Sequence, residues 1–157
     1  MRVYIEPESE TPGWRREYPD VAREVFSEWS EAGFPLRFTF VYDSASCDVS
    51  IGWRDKFPPE EGQRIGVTER EQTSSYEISR ARVSVATRDS AGRLLSPTVV
   101  AGIIRHEVGH ALGLNHSTDP TSVMYREAAT SEISPSDRAT LRAIYLMPGG
   151  SLKDERR

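Results

Sequence analysis

Apolar residues in this chain recur with two different periods, and the switches between them mark out the elements. Val3 and Ile5 share one side of a short β-prone run at residues 2–5, which Pro7 closes. Over residues 12–33, Tyr18, Val21, Ala22, Val25, Phe26 and Trp29 fall three and four apart. That spacing predicts an amphipathic helix whose aromatic stripe faces a core, with Arg15, Arg16, Arg23, Glu24 and Glu28 on its surface. Ala32-Gly33 is a suitable stop. Pro35 then opens a strand in which Leu36, Phe38, Phe40 and Tyr42 alternate with Arg37, Thr39 and Val41. A second alternation sets Cys47, Val49, Ile51 and Trp53 against Asp48, Ser50 and Gly52. Both have the period of two expected of strands with one face under helices.

The polar stretch 54–63, with Pro58-Pro59, predicts a loop. Residues 63–70 form a weak, charged strand with Ile65 and Val67 as its apolar residues, the composition that keeps a sheet edge from pairing indiscriminately. After a polar connection at 71–76, residues 78–88 give a better strand, with Ala81, Val83 and Val85 on one face. Ser96 is a good N-cap, and Pro97 at the first helical position gives up a donor that would be unsatisfied anyway. The helix they start is apolar almost throughout, from Val99 and Val100 through Ile103, Ile104, Val108, Ala111 and Leu112, and stops at Gly113. Ser134-Pro135-Ser136-Asp137 repeats the Ser-Pro start and adds an acid at the third helical position, a capping-box arrangement. Leu141, Ile144 and Tyr145 are its apolar face, and Pro148-Gly149-Gly150 its end. Five strands and three helices predict an α+β domain over residues 1–150, with 151–157 as a tail.

Bulk composition narrows the class. A chain of 157 residues suits one domain, and 37% hydrophobic against 28% charged residues reads as globular. A net charge of −4 gives no reason to expect nucleic acid or an anionic membrane as partner, and no apolar run reaches the length of a membrane span. Residues 1–10 lack the apolar segment of a signal peptide. With Cys47 as its single cysteine, the chain forms no intrachain disulfide, and the alternating run around it predicts a buried strand residue. A monomer is expected.

The chemistry lies in residues 106–116, which read H-E-x-x-H-x-x-G-x-x-H and use all three histidines of the chain. Random placement of three histidines would give this spacing in about 147 of roughly 630,000 arrangements, so chance is a poor account of it. His106 and His110, four apart on a helix, lie on one face and can hold one metal ion together. Gly113 tolerates the left-handed exit that brings His116 round as a third nitrogen ligand. Three neutral imidazoles with a fourth position open to water describe a catalytic zinc site, a structural site being closed. Glu107, beside the first ligand, is placed to act as general base.

HEVGHALGLNHS, followed by Ser122-Val123-Met124-Tyr125, resembles the metzincin zinc proteases, and Ser117 after the third histidine points to the matrixin branch. The resemblance implies a zincin-like fold, with a mixed twisted sheet of about five strands and three main helices. It also implies a zinc endopeptidase acting on extended protein or peptide segments, and secretion. Met124 would be the Met-turn residue, packed beneath the zinc without binding it. In that family the edge strand lines the cleft and an extended substrate adds to it antiparallel; a solvated edge with no such role is the other reading of residues 63–70. Vertebrate-type matrixins hold a second zinc and calcium through further histidines and aspartates; with no histidine left over, one catalytic zinc is expected here, no structural zinc, and no assembled calcium site. The chain as given has no propeptide cysteine to block the zinc. Matrixins usually continue Met-Tyr-Pro, but Arg126 follows Tyr125 here, so no substrate preference carries over. The rival from another class is a zinc-binding domain that captures peptides without cutting them, for which Glu107 would have no use. A Ser-His-Asp hydrolase is disfavoured, since G-x-S-x-G does not occur and every histidine is committed to the metal motif.

Overall fold

A computed structural model of the chain describes residues 1–32, 36–73, 77–126 and 132–146. The expected helix stop at Gly33, the strand opening at Pro35, the helix end at 148–150 and the tail at 151–157 lie outside them. Eight elements among the described residues form one five-stranded sheet carrying three helices. The strands are β1 (Arg2–Ile5), β2 (Thr39–Phe40), β3 (Val49–Arg54), β4 (Gly66–Gln72) and β5 (Ile78–Ala86). The helices are α1 (Tyr18–Ser30), α2 (Pro97–Ala111) and α3 (Pro135–Leu146). Sheet order is β2-β1-β3-β5-β4, with β4 antiparallel to β5 and every other pair parallel, so the sheet is mixed.

Strand alternation puts Val3, Ile5, Val49, Ile51, Trp53, Ala81, Val83 and Val85 into one core. Tyr18, Ala22, Val25, Phe26 and Trp29 of α1 close over it, joined by Val100, Ile103, Ile104 and Val108 of α2. The Glu28 carboxylate accepts from Arg105 Nε and Nη2, at 2.5 and 2.8 Å, and Trp29 Nε1 donates to Arg105 O at 3.2 Å, which fixes α1 against the middle of α2. Cys47 is buried as expected, just ahead of β3.

Two boundaries differ most from the sequence reading, beside shifts of two or three residues at the ends of β3, β4 and β5. The first helix begins at Tyr18, since Gly13 turns the chain at φ 79° and Pro19 fits only in a first turn. The strand expected from Leu36 to Tyr42 shrinks to Thr39–Phe40. Its ladder with β1 covers only Arg2↔Thr39 and Val3↔Phe40, whereas Tyr4 and Ile5 of β1 pair with β3. Leu36 is buried, yet Phe40 is 40% and Tyr42 100% exposed. Apolar alternation reported which side chains could pack there but could not report how long the neighbour is.

Candidate metal centre

Helix α2 forms because Ser96 Oγ accepts the Val99 N–H and Pro97 fills the first turn, leaving a long apolar face to bury. It carries His106, Glu107 and His110 along the side turned towards β4. The helix ends in a Schellman turn: Gly113 N–H donates to His110 O at 3.0 Å and Leu114 N–H to Gly109 O at 2.9 Å, with Gly113 at φ 104°. A Cβ at Gly113 would meet nothing closer than 3.7 Å, so backbone conformation, not space, calls for glycine. The same turn delivers two groups to the site. Leu114 O receives His110 Nδ1 at 2.9 Å, and His116 swings back beside the helix.

The three rings meet through their Nε2 atoms, 3.1 Å apart for His106 and His110 and 3.3 Å for His110 and His116. His106 Nδ1 lies 2.7 Å from Val123 O. Carbonyls accept only, so Nδ1 carries the proton in both helix histidines and each Nε2 presents a lone pair. Lone pairs facing one another at these distances need a cation between them. A tetrahedral zinc with nitrogen ligands at about 2.0–2.1 Å would set those nitrogens about 3.3 Å apart, so the donor set fits the ion. Burial pushes the His110 pKa down to about 4, opposed by the Leu114 carbonyl and reinforced by the neighbouring His106, and burial also lowers that of His116. Both rings are therefore neutral at neutral pH, the form that binds metal. Among the described residues, these three are the one group of side chains that brings three metal-ligating atoms together.

Glu107 is 7% exposed, and its carboxyl pKa is raised by burial, against the pull of the Thr68 hydroxyl, His106 and Arg64. Thr68 Oγ1 of β4 lies 2.6 Å from Glu107 Oε2 and 2.9 Å from Glu107 O. The close approach of β4 depends on Gly66, where a Cβ would stand 2.6 Å from Ile103 and 2.8 Å from Glu107 Oε1. β4 is thus the sheet edge that borders the site. With residues 63–68, Ile103 and Arg126 it encloses a cleft of about 660 Å³ containing all three histidines and Glu107.

Met124 is fully buried under the helix, so close to Gly109 that a Cβ there would overlap its Sδ. The turn holding it is pinned from both sides. Ser117 N–H donates to Met124 O at 2.9 Å, and Ser122 Oγ accepts the Met124 N–H at 3.0 Å. Asp137, the capping acid of α3, accepts from Ser134 N–H at 2.9 Å, from Val123 N–H at 2.9 Å and from Ser122 Oγ at 2.5 Å. One peptide therefore joins Asp137 to the site: Val123 donates to the acid and its carbonyl receives His106 Nδ1.

Every residue expected at the site from sequence, His106, Glu107, His110, His116 and Met124, is brought together. Thr68, Gly66, Gly109 and Val123 were not anticipated, and Asp137 was anticipated only as a cap. The Ser134-to-Asp137 spacing was the available signal for Asp137; Thr68 had none beyond being polar on a weak strand.

Comparison with known proteins bears on this site directly. A family model described as Matrixin matches residues 4–146. Over 119 residues, 68% of this chain, the sequence is 26% identical to a protein of Heliothis virescens ascovirus 3e whose name places it among the matrix metalloproteinases, covering 25% of that protein. It is 42% identical to matrilysin of Felis catus over 48 residues, 27% of this chain and 18% of matrilysin. It is 26% identical to metalloendoproteinase 1-MMP of Arabidopsis thaliana over 123 residues, 67% of this chain and 30% of that protein. The matched part of the chain thus spans less than a third of the length of each relative.

Proposed function

The chain belongs to the matrixin family, and on that premise we propose that it is a zinc-dependent endopeptidase cutting extended protein or peptide segments. The observation that carries this reading is the convergence of three imidazole Nε2 atoms beside a buried carboxylate. His106, His110 and His116 would hold a single zinc. Bound there, zinc supplies a Lewis acid that polarises the scissile carbonyl and lowers the pKa of water.

The chain's own residues do the rest. Glu107 takes a proton from the attacking water as the new carbon–oxygen bond forms, and returns it to the departing amine as the carbon–nitrogen bond breaks. Burial that raises its pKa suits a group that must both accept and release that proton. Thr68 holds one carboxylate oxygen and so orients the other towards the cleft. Val123 O and Leu114 O fix the tautomers of His106 and His110, as outer partners of metal-binding histidines do. Among the described residues only β5 pairs with β4, so the outer edge of β4 offers its backbone groups to an extended chain laid along the cleft. Met124 supports the helix from below.

Incubating the purified protein with a mixed peptide pool, with and without chelator, tests the reading. Internal cleavage that is lost on chelation, regained with zinc, and absent from zinc-loaded Glu107→Ala is expected. Cleavage by Glu107→Ala at the wild-type rate would overturn the assignment of the base, and zinc-loaded wild type that cuts nothing would favour peptide capture instead.

A further inference from the structure

Two arginines stand in the cleft wall with no part in the chemistry above. Arg64, just ahead of β4, and Arg126, directly after Tyr125, both line the cleft that contains Glu107 and the three histidines. Both are exposed, and neither has an ion-pair or hydrogen-bond partner among the described residues. Arg70 adds a third positive charge along β4, with Nη1 3.5 Å from His110 O.

Of the described acids beside these residues, Glu69 is turned elsewhere and Glu107 is already engaged. Strand alternation sends Glu69 to the face of β4 opposite Thr68 and Arg70, where it meets Arg82 of β5 at 3.8 Å. Among the described residues lining the cleft, Glu107 is the one carboxylate, and one of its oxygens is held by Thr68. A chain of net charge −4 therefore presents a locally positive cleft. Such a cleft concentrates anionic ligands, and a guanidinium fork matches a carboxylate in two parallel hydrogen bonds.

We propose that the cleft selects extended peptide segments bearing an Asp or Glu side chain close to the scissile bond, with Arg64 and Arg126 as the carboxylate-binding residues. One reaches the peptide from the β4 side and the other from the turn after Met124. This inference rests on the cleft being the peptide-binding site of the reading above, but it does not require turnover.

Binding and cleavage are accordingly measured apart. Affinity is read on zinc-loaded Glu107→Gln with a peptide library in which Glu, Gln or Lys is scanned through every position. Glu-bearing peptides are expected to bind about fivefold tighter than their Gln counterparts at one or two positions, the scale of a single partly exposed ion pair, and Lys-bearing ones more weakly than either. The ratio should fall towards one at 1 M salt, where the screening length is about 3 Å. It should fall likewise when Arg64→Gln and Arg126→Gln are added. Equal affinity for Glu and Gln peptides at every position, or a preference that survives both arginine substitutions, overturns the inference whether or not the wild type cleaves. An acidic preference in binding without wild-type cleavage supports it while removing the peptidase reading.

Discussion

Thr68 Oγ1 and Glu107 Oε2 lie 2.6 Å apart, which ties the edge strand of the sheet to the buried carboxylate of α2. A hydrogen bond to a charged group contributes about 1.5–3 kcal/mol, and losing this one leaves Glu107 both less oriented and less comfortable as an anion. Thr68→Val is therefore expected to lower kcat about tenfold or more, with KM for a given peptide changing much less. Thr68→Ser, which keeps the hydroxyl, should recover most of the rate. Zinc content measured on each variant separates this effect from loss of metal. Equal kcat for the Val and Ser variants would show that the hydroxyl does not position the base.

Asp137 links stability to metal binding. It is 4% exposed and accepts hydrogen bonds from Ser122, Val123 and Ser134 at once, so Asp137→Asn turns an amide donor towards groups that already donate. Leaving such buried donors unsatisfied costs about 1–3 kcal/mol each, and a total loss of about 2–4 kcal/mol is expected in urea unfolding. Because the Val123 carbonyl holds His106, zinc affinity should also weaken, by about 10–100-fold as for other outer partners of metal ligands. Competition against a chromogenic chelator under conditions where the variant stays folded reads this directly. A variant that loses stability but binds zinc as tightly as wild type would show that the Val123 peptide does not transmit the change.

The acid limb of stability has a local source at the start of the sheet. Asp48 accepts from Arg2 N–H at 2.6 Å and from the Arg2 guanidinium at 3.1 Å, and those interactions, the backbone one first, hold its carboxyl below the usual carboxylate range. A carboxyl whose pKa is lower in the folded state than in the unfolded one stabilises the fold above its unfolded value. That contribution is lost as pH falls through the folded pKa. Asp48 is partly exposed, so solvent screening keeps the effect small. Urea unfolding of Asp48→Asn across an acid pH series should show a shallower fall than wild type, the two curves converging at the lowest pH. Parallel curves would place the acid sensitivity elsewhere.

What could be read from sequence follows the range of the interaction that fixes each feature. The metal motif is local: His106 and His110 sit one turn apart, and Gly113 sets the exit, so spacing alone was enough. Capping was local too, and Ser96, Pro97 and Asp137 act where their positions suggested. The tie between Thr68 and Glu107 spans 39 residues and depends on which edge of the sheet borders α2, a fact of topology that periodicity does not carry. The link from Asp137 to Ser122 and Val123 is likewise tertiary. β2 was overextended for the converse reason: alternation records what a strand could bury, whereas its length is set by pairing, here a ladder of two residue pairs with β1.

Gly109 and Met124 give the sharpest test of packing beneath the site. Glycine inside a helix costs about 1 kcal/mol relative to alanine, so Gly109→Ala would stabilise α2 if there were room. There is none: a Cβ would overlap Met124 Sδ and stand 3.3 Å from both Met124 Cε and Trp29, all in the buried core. Overpacking costs about 1–3 kcal/mol, enough to outweigh the helix-propensity gain, and Gly109→Ala is expected to be destabilising on balance. Met124→Ala should cost about 2–5 kcal/mol by opening a cavity. Combined, the new methyl enters space the methionine has left, so the double variant should be more stable than the sum of the two losses predicts. Thermal unfolding of all four proteins gives the coupling, expected at about 1–2 kcal/mol in favour of the double variant. Additive losses would mean that Met124 moves aside freely and that close approach is not what requires glycine at position 109.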